Sequence, residues 1–463
     1  MIGHRPPRQM EMLIGEPEAP TTRTKRLLNK IDTLVDWTPI PRLAAESFSD
    51  IGRPSIDPVV MVKMMLVGYL LGIESDRKLV EECSDRWSIR EFLGYGLSES
   101  LPTHASFTNW RQRLGSEFFR DVLHEVVRQC VAHGVVLSEA RTVDGTSVSA
   151  QACVHGPKVP VPPEREVDEY LESYAAGDEA GLPVKEMKWV NTHDSEARLQ
   201  RKGHEKADFR YNASLYACAE TGFITDATAT ALESPTTMVE HVWRDPYPVT
   251  ELAADSLYDA GESLAAVQDR GVTCYVPERD RNPTKLLSSK EFSYDAEADV
   301  YTCPEGHILK HSRYREDRHL HYYTARILSC RGCPRKAACT EAARRTVTRT
   351  DHASALERTV RRGGRYRYLM SRRRVNEHLN NMGKRDHCLS RARGLGVEAL
   401  RIQAALTAVA IDLMKLLRWP TAVRSDGKAG RLGRGLALLA RLSRALRGPV
   451  WPSLATQALW GAH

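Results

Sequence analysis

From Asp57 to His133 the apolar and polar positions follow a helical pattern. Asp57-Pro58 can cap and open a helix running to about Ile73. Ser75 or Asp76 can cap a second, RKLVEEC. A third follows Asp85 as RWSIREFLG and stops at Gly94. A fourth begins near Ser106 as FTNWRQRLG, and a fifth, FFRDVLHEVVRQCVAHG, ends at Gly134. Short helices with brief connections predict a compact helical domain over 51–135. Residues 1–50 are only weakly periodic and read as a partly ordered lead-in.

At Arg141 the pattern changes. RTVDGTSVSAQA alternates and predicts a strand. After a Pro-rich loop (156–163) and a linker (164–185), residues 210–230 predict a hairpin around Glu220-Thr221-Gly222. A short helix (PTTMVEHVWRD), a strand entering a loop (TELAADSLYDAG), a helix closed by Gly271 and the strand VTCYVPE follow. Strands alternating with helices in this way predict a mixed α/β sheet. A Cys-containing segment over 286–349 reads as β-rich, and helices are expected at about 366–385 and 396–418. The core domain therefore spans 136–285 and 350–420, with 286–349 inserted and a tail over 421–463.

Composition narrows the class. The chain has 463 residues, enough for two or three domains, with 42% hydrophobic and 27% charged residues. Net charge is only +7, but its distribution is uneven. The stretch 359–374, TVRRGGRYRYLMSRRR, holds seven arginines and no acid. Arg424, Lys428, Arg431, Arg434, Arg441 and Arg444 in the tail face only Asp426. Such clusters suit a polyanion, because phosphate contacts release counterions. The most apolar run, Val59 to Ile73, is interrupted by Lys63 and is too short for a bilayer span, so no membrane association is expected. The N-terminus has no apolar signal region, and the ten cysteines are expected as reduced thiols or metal ligands. The expected compartment is the cytoplasm. No Walker-type phosphate loop is present, and no nucleophile–His–acid arrangement stands out.

Three carboxylates carry the chemistry. A two-metal site needs acids on rigid elements that converge on ions about 3.5–4 Å apart. Asp144 sits in a predicted strand beside Gly145, where backbone can approach a ligand closely. Asp255 ends the strand TELAAD, at the carboxyl end where α/β sheets place their sites. Glu377 sits on a predicted helix, with Arg373 four residues before it and Lys384 seven after, so all three share one face. Taken singly, each acid is better explained by a turn, a cap or an exposed ion pair.

Their order and surroundings resemble the DDE transposases of bacterial insertion sequences, the superfamily marked by a Tyr-Arg-Glu-Lys signature. GRPSIDPVVMVKMMLVGYLLGIESDRKLVEEC and REFLGYGLSESLPTHASFTNWRQRLG resemble its N-terminal helical DNA-binding domain. TVDGTSVSA and ADSLYDAGE resemble the first and second Asp motifs. HDSEARL with FRYNASLYACAETGFI resembles the intervening core, RRRVNEHLNNMGKRD the third-acid helix, and RARGLGVEALRIQAALTAVAIDLMKL the closing helix. The resemblance implies an RNase H-like core, with a five-stranded mixed sheet, and Mg²⁺ or Mn²⁺ held by Asp144, Asp255 and Glu377. It implies cleavage at transposon ends and strand transfer into target DNA, with synapsis of two ends calling for a homodimer acting near the nucleoid. Arg373 and Lys384 would position phosphates. This sequence departs from the pattern at Met370, which takes the signature Tyr position near Tyr366 and Tyr368. It departs also at Asn376, at Asn380-Asn381 and at Asp412. The rivals are a catalytically inactive or domesticated transposase acting as a DNA-binding regulator, and a hydrolytic nuclease of the same fold.

Two further sites are weighed. Cys303, Cys330, Cys333 and Cys339, with His307 near, have spacing that allows a structural Zn²⁺ site. Four reduced thiols in a small β subdomain explain them equally well. The short helix FTNWRQRLG is a candidate recognition helix, with Thr108, Asn109, Arg111 and Arg113 toward DNA and Trp110 and Leu114 toward the core.

Overall fold

A computed structural model describes residues 2–3, 22–49, 51, 54–152, 158–161, 188–201, 206–279, 286–316 and 319–420. The linker 164–185 and the basic tail lie outside these residues, as does Cys153. Ahead of the first strand the described residues form helices. These are α1 (Arg23–Leu34), α2 (Ile40–Ala44), α3 (Pro58–Leu70), α4 (Asp76–Asp85), α5 (Trp87–Leu93) and α6 (His104–Ala132). The caps fall where the sequence puts them. The Asp57 carboxylate accepts from Val59 N, and the Ser75 hydroxyl accepts from Lys78 N. Helix α5 ends at left-handed Gly94.

Two features differ from expectation. Within the stretch read as a partly ordered, weakly periodic lead-in, residues 23–34 form a capped helix: Thr22 caps α1, which fully buries Leu28 and Ile31. The expected fourth and fifth helices abut as one element, broken only at Gly115 (φ 66°, ψ 176°). Only glycine enters that region without strain. The Ser116 N–H freed by the break donates to Glu398 Oε1 at 2.6 Å, so a distant helix caps the second half.

The main sheet uses β1 (Ala140–Ser149), β4 (Arg198–Gln200), β5 (Asp208–Cys218), β6 (Ile224–Thr230), β7 (Glu251–Ala253) and β8 (Thr273–Tyr275); β2 (Lys158–Val161) and β3 (Lys188–Asn191) pair separately. Its order is β4-β5-β1-β7-β8, with β6 also on β5. Strands β1, β7 and β8 run parallel, while β5 is antiparallel to β1 and to β6. The sheet is mixed, as the alternating pattern predicts, and has six strands rather than five.

Helices α7 (Thr236–Arg244) and α8 (Gly261–Gln268) cover one face, where Val143, Tyr216, Met238, Leu252, Tyr258 and Leu264 pack together. The insertion folds as a separate five-stranded sheet, β9 (Ser293–Asp295) to β13 (Thr346–Thr350), with the short helices α9 (Ile327–Arg331) and α10 (Lys336–Cys339). Helices α11 (Ala353–Arg358), α12 (Gly364–Asp386) and α13 (Gly396–Leu416) follow. One apolar cluster runs from Leu28 and Met61 through Phe119 and Phe209 to Leu406, so α13 is shared between the helices and the sheet. No helix among the described residues is long and apolar enough to cross a membrane.

Asp412 is buried on α13 and accepts Ile224 N–H with both carboxylate oxygens, at 3.0 and 3.1 Å. Burial pushes its carboxyl above the ordinary 3.8, against the opposing pull of Lys415. The folded chain then holds a proton that the unfolded chain releases. Stability from this group is full below the ordinary value and is lost as pH rises toward the raised folded value. We expect Asp412→Asn, whose amide oxygen still accepts from Ile224, to flatten the fall of Tm between acid and neutral pH. Parallel Tm profiles for parent and variant would refute this.

Candidate active site

The acid site begins with register. Strands β1 and β7 are parallel, with Thr142 beside Ala253. Asp144 and Asp255 each lie two residues further along, so they leave neighbouring strands at the same level. Adjacent strands are about 4.8 Å apart. Asp255 is held by its own turn, its carboxylate accepting from Leu257 N at 2.8 Å.

Helix α12 brings the third acid. Asn376 is fully buried and locks this helix onto the sheet. Its amide donates to Thr142 O at 3.2 Å and Leu215 O at 3.0 Å, and Thr142 Oγ1 donates to Asn376 Oδ1 at 2.6 Å. An apolar residue here would remove three hydrogen bonds between the helix and the sheet, and Thr142 Oγ1 would keep only its longer bond to Ala217 O at 3.4 Å. Glu377 is the next residue, and its side chain is 56% exposed. One turn earlier, Arg373 stands between two acids, 3.3 Å from Asp144 and 3.6 Å from Glu377. Asn380 donates to the other Asp144 oxygen at 3.1 Å.

Asp144 is the buried member. Burial, the largest influence, pushes its carboxyl up to about 7; Arg373 pulls it down, and Asp255, Glu233 and Glu377 push it further up. Asp255 and Glu377 are thus both within electrostatic reach of Asp144. Among the described residues no group of three or more His, Cys, Asp and Glu side chains is arranged to hold a metal ion. Here the Arg373 guanidinium lies between Asp144 and Glu377, where a cation serving both would sit. The donor chemistry still suits a hard divalent ion, since carboxylate oxygens are its preferred ligands. Asn380 Oδ1 adds a buried oxygen with no hydrogen-bond partner.

The other selected residues divide. Lys384 shares the continuous helix α12 with Arg373 and Glu377. Asn109 and Arg113 are exposed on α6. Arg111 is not directed outward: it donates to both oxygens of Asp76 at 2.6 and 2.9 Å, and Arg393 joins the same carboxylate at 2.8 Å. The basic run is partly neutralised as well. Arg361 pairs with Asp259 and Arg365 with Glu251, and Arg372 donates to Ala219 O. Arg362, Arg367 and Arg374 stay exposed.

Cys303, Cys330, Cys333 and Cys339 do converge, with His307, around one cavity of about 30 Å³. All four are free thiols, and Cys303, Cys330 and Cys339 pack on the apolar core of the insertion. They fall within the same absence of a metal-ready grouping.

One constellation escapes the sequence. Ser214, His241 and Asp226 line up as hydroxyl, imidazole and carboxylate, with separations of 3.0 and 2.7 Å. All three are at most 1% exposed, so no substrate reaches them. The nucleophile–His–acid geometry is a packing network. Their separation in sequence (β5, β6 and α7) leaves no local motif to read.

Comparison with known families adds to this geometry. Residues 18–113 match a model described as Transposase domain (DUF772), and residues 302–417 match one described as Transposase DDE domain. The chain carries two transposase domains, the second of them a DDE domain. In this transposase the DDE match contains Glu377, whereas Asp144 and Asp255 lie outside both matched segments. The first match begins ahead of α1, consistent with the buried packing of that helix. No curated protein matches. Among solved structures, a piggyBac transposase synaptic complex with hairpin DNA is similar at 7% identity and a TM-score of 0.34, covering 92% of this chain and 82% of that one. A likeness at that level carries no argument about this transposase.

Proposed function

We propose that this chain cleaves DNA at transposon ends and transfers the freed strand into target DNA, using an RNase H-like core with Asp144, Asp255 and Glu377 as its acids. The observation that supports this reading most is the placement of Asp144 on β1 and of Asp255 two residues past the end of its parallel neighbour β7, with Glu377 delivered by the helix that Asn376 pins to β1. Divalent ions at these acids, Mg²⁺ or Mn²⁺, would supply activated water and neutralise charge building on the phosphorus oxygens.

The chain's own groups have separable tasks. Asn380 fixes one oxygen of Asp144, so the other is directed into the site. Arg373 shields the acids from mutual repulsion in the present arrangement and is placed to turn outward to a phosphate when they take up ions. Lys384, further along the same face, extends that track. Asn109 and Arg113 on α6 are proposed DNA contacts, and Arg111 is removed from that role by Asp76. Two such chains would bring two DNA ends together, as a homodimer.

The test is cleavage of DNA containing the sequences that flank the coding region, with Mg²⁺. Asp255→Asn and Glu377→Gln are each expected to lower the rate by at least about 10²-fold, the scale of losing one charge-stabilising group. Cutting at the parental rate by either variant removes the reading. Joined products, beside nicked ones, separate strand transfer from simple hydrolysis.

A further inference from the structure

The Asp144 carboxylate has two oxygens, and both are engaged. Asn380 donates to Oδ2 at 3.1 Å, and Arg373 Nη1 lies 3.3 Å from Oδ1. Nη2 of the same guanidinium is 3.6 Å from Glu377 Oε1. The oxygen that Asn380 leaves to the site is thus the one that Arg373 covers, and one planar group spans two of the proposed acids. Among the charges acting on Asp144, Arg373 favours the ionised form, while Asp255 and Glu377 oppose it.

This hold is loose. Charge-assisted N–H···O bonds are about 2.7–2.9 Å long, and both contacts exceed that. Neighbouring arginines of α12 are fixed more firmly: Arg365 Nε is 2.9 Å from Glu251 Oε1, and Arg372 Nε donates to Ala219 O at 2.7 Å. The Arg373 side chain is 23% exposed and that of Glu377 56%, so the guanidinium sits at the rim of the site. A phosphate offers it two oxygens in the bidentate geometry that guanidinium groups fit.

We propose that Arg373 is an internal counter-ion that holds the acid site closed to divalent ions until a DNA phosphate draws it away. The inference rests on the proposed reading of Asp144, Asp255 and Glu377 as ion-holding acids. Ion and guanidinium compete for the same Asp144 oxygen, and a positive group left in place also repels an incoming cation. DNA that engages Arg373 removes the competitor. Coupling between two ligands is reciprocal, so bound ions strengthen DNA binding by the same factor. Ion loading is thereby tied to the presence of the substrate.

The experiment titrates the full chain with Mn²⁺ by calorimetry and by the electron spin resonance signal of free ion, on the alkaline side of the raised Asp144 carboxyl. It is repeated with a short DNA duplex of arbitrary sequence, and the uptake of the duplex alone is subtracted. Parent, Arg373→Gln, Asp144→Asn and the double variant are compared, and thermal melting checks that each is folded. Without DNA we expect Arg373→Gln to bind Mn²⁺ about tenfold more tightly than the parent. The duplex is expected to tighten uptake by the parent, and to do so by a smaller factor in Arg373→Gln. Uptake by Arg373→Gln no tighter than the parent's overturns the role of Arg373; the three-acid reading still stands if Asp144→Asn loses the uptake that the parent shows with the duplex. If the double variant takes up Mn²⁺ as Arg373→Gln does, the ion is not held by these acids, and the three-acid reading fails together with this inference.

Discussion

Asp144→Asn will abolish metal-dependent DNA cleavage while leaving the chain folded. The expected loss is about 10³-fold or more, equivalent to at least about 4 kcal/mol of transition-state stabilisation. Asp144 is the convergence point of the site, touched by Arg373 and Asn380 and level with Asp255. Its burial is unfavourable to the charge, which is why the carboxyl is raised to about 7. A neutral amide of the same shape removes that penalty, so Tm should hold or rise as activity disappears. A variant that cleaves within tenfold of the parent would contradict the assignment. One that is inactive only because it melts early would leave the acid's chemical role without support.

The largest expected loss of stability lies elsewhere, at Asp226. This fully buried carboxylate on β6 is 2.7 Å from His241 Nδ1, 3.0 Å from Arg120 Nε and 3.5 Å from His124 Nε2. Burial works against its charge. Hydrogen bonds from His124 and His241, with the charges of His241 and Arg120, outweigh burial and hold the carboxyl far below its ordinary range. Arg120 and His124 belong to α6, so one carboxylate ties the N-terminal helices to the sheet. Asp226→Asn leaves Arg120, itself 6% exposed, with only its bonds to Glu240 and Glu117. Breaking a buried ion pair by removing one partner costs about 3–5 kcal/mol. Chemical denaturation should show a drop of that order, and a midpoint unchanged from the parent would refute the account.

What the sequence reveals follows from how local each signal is. Helices α3, α4 and α5 are legible because Asp57, Ser75 and Gly94 punctuate them within one turn of their ends. Strand β1 and the β5–β6 hairpin are legible because alternation and the Gly222 turn are also local. Helix α1 is hard to read because it fully buries just Leu28 and Ile31, with Leu27 and Leu34 packed partly against the core, in a charged stretch, RTKRLLNKIDTL. Arg111 misleads for a different reason: its partner Asp76 is 35 residues away, and nothing near Arg111 reveals that the charge is already matched. Asn376 and Asn380 look like departures from a transposase pattern because a helix facing a sheet is expected to be apolar there. Their value lies in the backbone of β1 and β5 and in the Asp144 carboxylate, which become neighbours only on folding.

The placement of α13 has a consequence for biosynthesis. Its residues Leu406, Ala408 and Val409 complete the apolar cluster that also contains Met61 and Phe119, and its Glu398 caps the break in α6 across 282 residues of chain. The earliest helices to leave the ribosome thus wait for one of the last described before their oily surfaces are covered. A nascent chain stalled before Gly396 would expose those surfaces to chaperones and proteases. Only polypeptide carrying both ends of this interface covers those surfaces.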